Sequence, residues 1–164
     1  MTVTSVEKDL EAATLTVVAE YPATLDQVWA LWADPRKLER WWGPPTYPAT
    51  VTDHDLRPGG MARYYMTGPE GDRHGGGWRI LEVHEPTRLV LEDHFENDDG
   101  TENTDLPRSS MEVSIEEVDS GVRMTIASRF ASPEDMARVL EMGMEEGIKS
   151  ALGQTDDLLG ADRG

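Results

Sequence analysis

The chain has 164 residues, 15 Lys+Arg against 32 Asp+Glu for a net charge of −17, and no cysteine. That length suits one domain with its own apolar core, and the missing cysteine excludes disulfides, thiolate zinc sites, iron–sulfur clusters and cysteine nucleophiles. The acidic field repels phosphate backbones and anionic lipid, setting nucleic acid and membrane aside as partners; with no export signal and no apolar run of spanning length, a cytoplasmic protein is expected.

Residues 1–11 are charged and without period, and read as a flexible N-terminal arm ahead of a single domain over 12–160. From Thr14 to Tyr21 the sequence alternates, with Leu15, Val17, Ala19 and Tyr21 on one face, as a half-buried strand requires. Thr24 and Gln27 form a capping-box pair ahead of Leu25, Val28, Trp29 and Trp32 at helical spacing. Asp34-Pro35 ends that helix and opens a shorter one through Leu38, Trp41 and Trp42 to Gly43-Pro44-Pro45. Neighbouring positions on a helix diverge by about 100°, so Trp41 and Trp42 cannot both face the core, and Trp41 is expected at its rim.

From Ala49 to Phe130 the pattern is six or seven antiparallel strands. Turns fall at Arg57-Pro58-Gly59-Gly60, Pro69–Asp72, Glu85-Pro86-Thr87 and Asp119-Ser120-Gly121, and Gly75-Gly76-Gly77 precede a strand from Trp78 to His84. Residues 92–119 hold eleven acids and one Arg, a solvated segment without the spacing of a calcium loop. Ser132, Pro133 and Glu134-Asp135 open a final helix that carries Met136, Leu140, Met144, Ile148 and Leu152 to about Leu159. At about 27 residues it would extend roughly 40 Å. Gly143 and Gly147, four apart, leave a bare patch on its apolar face.

A strand, two short helices, a run of strands and a long last helix is the order of an α+β helix-grip fold, a curved sheet wrapped on a C-terminal helix. Within that order stand Val28-Trp29, Asp34-Pro35, Leu38, Trp41-Trp42-Gly43-Pro44 and Asp55-Leu56-Arg57-Pro58-Gly59-Gly60. Met66, Pro69, Gly71, Glu82, Pro86, Arg88-Leu89-Val90 and Gly147 follow. Together they resemble the family of activators of heat-shock protein 90 ATPase (AHSA-type), a branch of the START-like (SRPBCC) superfamily that also holds polyketide cyclases and birch-pollen-type allergens. The resemblance spans residues 14 to 160. It departs at Thr24, where the family has Pro, and at Ile148, where an aromatic is usual. It implies a lipid-like or polyketide-like ligand in a cavity between sheet and last helix, or a protein client.

The apolar faces supply the expected lining. Trp41, Tyr64, Met66, Trp78, Ile80 and Leu91 come from the second helix and the first strands. Met111, Val113 and Met124 come from the later strands, and Met136, Leu140, Gly143, Met144 and Gly147 from the last helix. Methionines adapt to variable apolar guests. Strict alternation also places His54 and Asp93 among apolar neighbours, candidates for acid–base work in a cyclase-type enzyme. No catalytic residue is assigned beyond those two candidates, and no cofactor. His54, His74, His84 and His94 have no metal-ligand spacing, so no metal is expected. The reading is an apolar-ligand binding protein, monomer or homodimer, with the cyclase and a stress-related chaperone partner as alternatives.

Overall fold

The computed structural model describes residues 3–97, 99–155 and 158–159. Among them run β1 (Val3–Asp9), β2 (Thr14–Tyr21), α1 (Leu25–Ala33), α2 (Pro35–Trp41), β3 (Ala49–His54) and β4 (Met61–Thr67). β5 (Arg73–His84), β6 (Arg88–Glu96), β7 (Ser109–Val118), β8 (Gly121–Phe130), α3 (Pro133–Glu141) and α4 (Met144–Gly153) complete the order. The strands form one antiparallel sheet, β1-β2-β8-β7-β6-β5-β4-β3, consistent with the helix-grip architecture. α1 and α2 therefore carry the chain from β2 near one edge to β3 at the other.

Side-chain alternation sets the core. Leu15, Ser128, Met111, Leu91 and Ile80 are successive cross-strand partners, and so are Val17, Ile126, Val113 and Leu89. All nine are buried. Residues directly opposite across antiparallel strands share a face, so these rows form one concave apolar surface.

The caps follow the residues that predict them. Thr24 Oγ1 accepts from the Gln27 backbone N–H at 3.2 Å while Gln27 Oε1 accepts from the Thr24 N–H at 3.0 Å, the reciprocal pair of a capping box. Asp34 Oδ1 accepts from the Arg36 N–H at 2.9 Å, and Ser132 Oγ from the Asp135 N–H at 3.1 Å.

Four expectations are corrected. The segment 1–11 is not a free arm, because its Val3–Asp9 stretch pairs with β2 as an edge strand, making eight strands rather than six or seven. Gly75-Gly76-Gly77 lie inside β5, which begins at Arg73. The last helix is not one rod of about 27 residues; α3 stops at Glu141, Gly143 takes the left-handed conformation at φ +92°, and α4 starts beyond it. A left-handed residue after a helix closes its last turn, and glycine adopts it without steric cost. The stretch toward Leu159 also passes through residues 156–157, outside the described ones. Trp41 does not reach a rim, since it is fully buried and Trp42 is only 9 % exposed. Trp42, the C-cap of α2, keeps helical dihedrals, and both rings are buried because Trp32 lies against each, with centroids 4.9 Å and 5.9 Å away; Gln154 Nε2 donates to the carbonyls of Trp41 at 3.3 Å and Gly43 at 2.7 Å.

Candidate functional site

The concave face carries a cluster of four indoles. Trp32 stacks edge-on against Trp41 with centroids 4.9 Å apart, and Trp42 against Trp78 at 4.8 Å; Trp32 and Trp78 stand 5.8 Å apart. Edge-to-face rings of this kind stabilise beyond their buried area. Their N–H groups divide sharply. Trp41 Nε1 donates to the Leu31 carbonyl at 2.8 Å and Trp32 Nε1 to the Met124 sulfur at 3.2 Å. Trp78 Nε1 is buried and has no hydrogen-bond acceptor among the described residues, and the buried Trp42 Nε1 has only the Tyr64 hydroxyl beside it, outside full hydrogen-bond geometry. A buried donor without a partner costs about 1–3 kcal/mol, so the Trp78 N–H calls for an explanation.

Both donors belong to residues grouped with Tyr64 and Asp93. The Tyr64 ring lies 5.9 Å from Trp42 and 6.1 Å from Trp78, and Asp93 is the cross-strand partner of Trp78. Tyr64 sits on β4 and Asp93 on β6, with β5 between them, yet the Tyr64 hydroxyl donates to Asp93 Oδ1 at 3.3 Å. Gly76 makes this reach geometrically open. It is the cross-strand partner of Tyr64, and a Cβ there would fall 2.5 Å from the Tyr64 hydroxyl. Burial pushes the Asp93 carboxyl up to about 7, against the opposing hydrogen bonds from Tyr64 and the His94 backbone. Burial and the neighbouring Asp93 raise the Tyr64 hydroxyl well above its ordinary range, although Trp42 favours the phenolate.

The glycine gap serves the opposite face as well. A Cβ on Gly77 would lie 2.7 Å from the His94 ring, and His94 Nε2 meets Glu96 Oε2 at 2.9 Å while Arg63 Nε approaches the same oxygen at 3.3 Å. β5 thus separates an internal Tyr–Asp pair from an external His–Glu–Arg group by bare backbone, the close approach that glycine inside a strand marks.

Residues 22–160 match the family described as activator of Hsp90 ATPase homolog 1-like protein. The chain belongs to that family. A crystal structure of a Mycobacterium smegmatis protein is 48 % identical, covers 96 % of each chain and superposes with a TM-score of 0.89. A solution structure of an Arthrobacter aurescens protein is 45 % identical, covers 98 % of this chain and 93 % of the other, and gives 0.93. An AHSA1 protein of Silicibacter pomeroyi, 23 % identical over 92 % of this chain and 99 % of its own, shares the fold at 0.73. No curated protein matches the sequence.

Within this family's fold the residues expected to line a cavity separate into three groups. Trp41, Trp78, Ile80, Leu91 and Val113 are sealed, as are Met111, Met124 and Met136, and all pack as core. Tyr64, Met66, Leu140 and Met144 are half-buried against it. Gly143 is exposed at the helix break, and a Cβ on either Gly143 or Gly147 would meet nothing within 4 Å. A surface concavity of about 810 Å³ lies elsewhere, between the β1–β2 hairpin and α3, and shares only Leu140 with the expected lining. At the Tyr64 end of the sheet Met66, Asp93 and Phe95 are also half-buried, so the face is least tightly closed there.

His54 and Asp93 are not brought together. They share the concave face through the partners Ala62 and Trp78, with two strands between them, which separates them by about 14 Å. His54 Nε2 instead meets the Trp32 carbonyl at 2.9 Å. The other three histidines each pair with a carboxylate two residues away, Asp72, Glu82 and Glu96. Among the described residues no three His, Asp or Glu side chains gather as a metal site, and no helix is long and apolar enough to cross a membrane. Trp42 and the glycine triplet were outside the expected site. The signal for the triplet was available in glycines standing inside a strand.

Proposed function

We propose that this chain binds a small, mainly apolar molecule on the concave face, at the end formed by Trp42, Tyr64, Trp78 and Asp93. Binding pockets are largely apolar walls with a few placed polar groups, and this end of the face has that composition. The observation that carries the reading is the buried Trp78 indole N–H without an acceptor beside a Tyr–Asp pair. Membership of the activator-homologue family fits a ligand-binding role equally with an activator role. A cyclase-type reaction would have to run on Asp93 without His54, since the two stand apart. Native mass spectrometry of freshly purified protein, followed by titration with the hydrocarbon probe diphenylhexatriene, tests the binding reading. Saturable binding of about one probe per chain is expected, and absence of any saturable binding would overturn it. The chaperone-partner alternative has its own assay: stimulation of a chaperone ATPase by the chain with no probe bound.

A further inference from the structure

Resting on that binding reading, we infer that the site selects an uncharged molecule bearing an acceptor oxygen, such as a ketone, ester or amide, held by the indole N–H of Trp78, and that it rejects the carboxylate of the same skeleton. The polar inventory of the site is lopsided. It holds the Trp78 N–H with no acceptor, while the Trp42 N–H has only the Tyr64 hydroxyl beside it and that hydroxyl is turned to Asp93. A guest oxygen complements such a donor, and a purely hydrocarbon guest leaves it orphaned.

The surroundings decide the charge of the guest. Arg63 is on β4, one residue from Tyr64, so alternation turns it to the other face, where it meets Glu96 and the Gly100 carbonyl. Arg79, one residue from Trp78 on β5, is turned away in the same manner and is exposed. The ring and hydroxyl neighbours of Trp78 and Asp93 on the concave face, Trp42, Tyr64 and Ser109, carry no positive charge. A carboxylate placed here would be desolvated beside Asp93 with no counterion, and buried unpaired charge is strongly unfavourable. A carbonyl oxygen meets neither penalty.

The test is displacement of diphenylhexatriene from the full chain near neutral pH by two guests of ten carbons, methyl octyl ketone and decanoate. The ketone is expected to displace the probe at a concentration at least about tenfold below that of decanoate. Trp78→Phe keeps an aromatic ring and deletes the N–H; it is expected to lower the ketone's affinity at least about fivefold more than it lowers that of the probe. Should Trp78→Phe fail to fold by circular dichroism, the Trp78 indole N–H proton resonance of the unaltered chain is expected to move on addition of the ketone. Decanoate displacing as well as the ketone, an unchanged ketone affinity in folded Trp78→Phe, or an unmoved Trp78 indole resonance overturns the inference and leaves the binding reading standing. Failure of diphenylhexatriene to bind at all removes the binding reading and this inference together.

Discussion

Asp93 keeps its proton in the folded chain over a pH range where a free aspartate has lost it. Its carboxyl is held at about 7 by burial, against an ordinary value near 4 in an unfolded chain. Between those values the native state binds the extra proton, so stability falls as pH rises through the window and stays at the lower level above it. Asp93→Asn cannot ionise and should abolish that dependence. Because the residue is half-buried and partly screened, the variant is expected to exceed the wild type by about 1–3 kcal/mol above pH 7 and to match it below about pH 4. Urea denaturation at the two pH values reads the difference; a gap of equal size at both would show that the carboxyl is ionised throughout. Alternation made Asp93 legible as an ionisable group on an apolar face. Its partner was not legible, because Tyr64 reaches it over Gly76, and that depends on the register of three strands.

At the scale of elements, the two glycines of the last segment illustrate how similar sequence positions separate in structure. Met136, Leu140 and Met144 recur every four residues, so the period alone reads as one continuous helix. The break at Gly143 is set by backbone conformation, which apolar spacing does not encode. The two sites therefore predict opposite signs. Gly143→Ala forces a side chain into φ +92° and should destabilise by about 1 kcal/mol. Gly147 lies within α4, has no positive φ and leaves open space where a Cβ would go, so Gly147→Ala should stabilise by about 0.5–1 kcal/mol. Thermal denaturation of both variants decides it, and a stabilising Gly143→Ala would mean the helix runs unbroken. β1 escaped the sequence reading for a related reason. It is an edge strand of seven residues, and Val6, partly buried, packs on the core between charged neighbours, so its apolar period is almost silent. The capped starts of α1, α2 and α3 were readable because Thr24, Asp34 and Ser132 bond only to backbone within three residues.

For the whole molecule the net charge of −17 sets how the fold responds to salt. Two electrostatic effects oppose each other. Ion pairs such as Lys8–Glu145, Arg88 with Glu82 and Glu112, and Arg123 with Glu116 weaken when screened. Exposed pairs contribute only about 0–1 kcal/mol each. Repulsion among the surplus acids acts over the whole surface and is concentrated in residues 92–119, where eleven acids face a single Arg. The Debye length shrinks from about 30 Å at 0.01 M to about 3 Å at 1 M, so added salt removes this long-range repulsion along with the attraction of the exposed pairs. The repulsive side is larger, because the acids outnumber their basic partners by more than two to one. Raising sodium chloride from about 0.02 M to 0.5 M is therefore expected to stabilise the fold by about 1–2 kcal/mol. A melting temperature that falls over that range would show that the ion pairs outweigh the surplus acid. The same field bears on the guest: it disfavours the approach of a carboxylate before any contact forms, so part of the ketone-over-decanoate preference should shrink as salt rises. The part set by the unpaired Trp78 indole should persist at high salt, which separates the local recognition from the global charge.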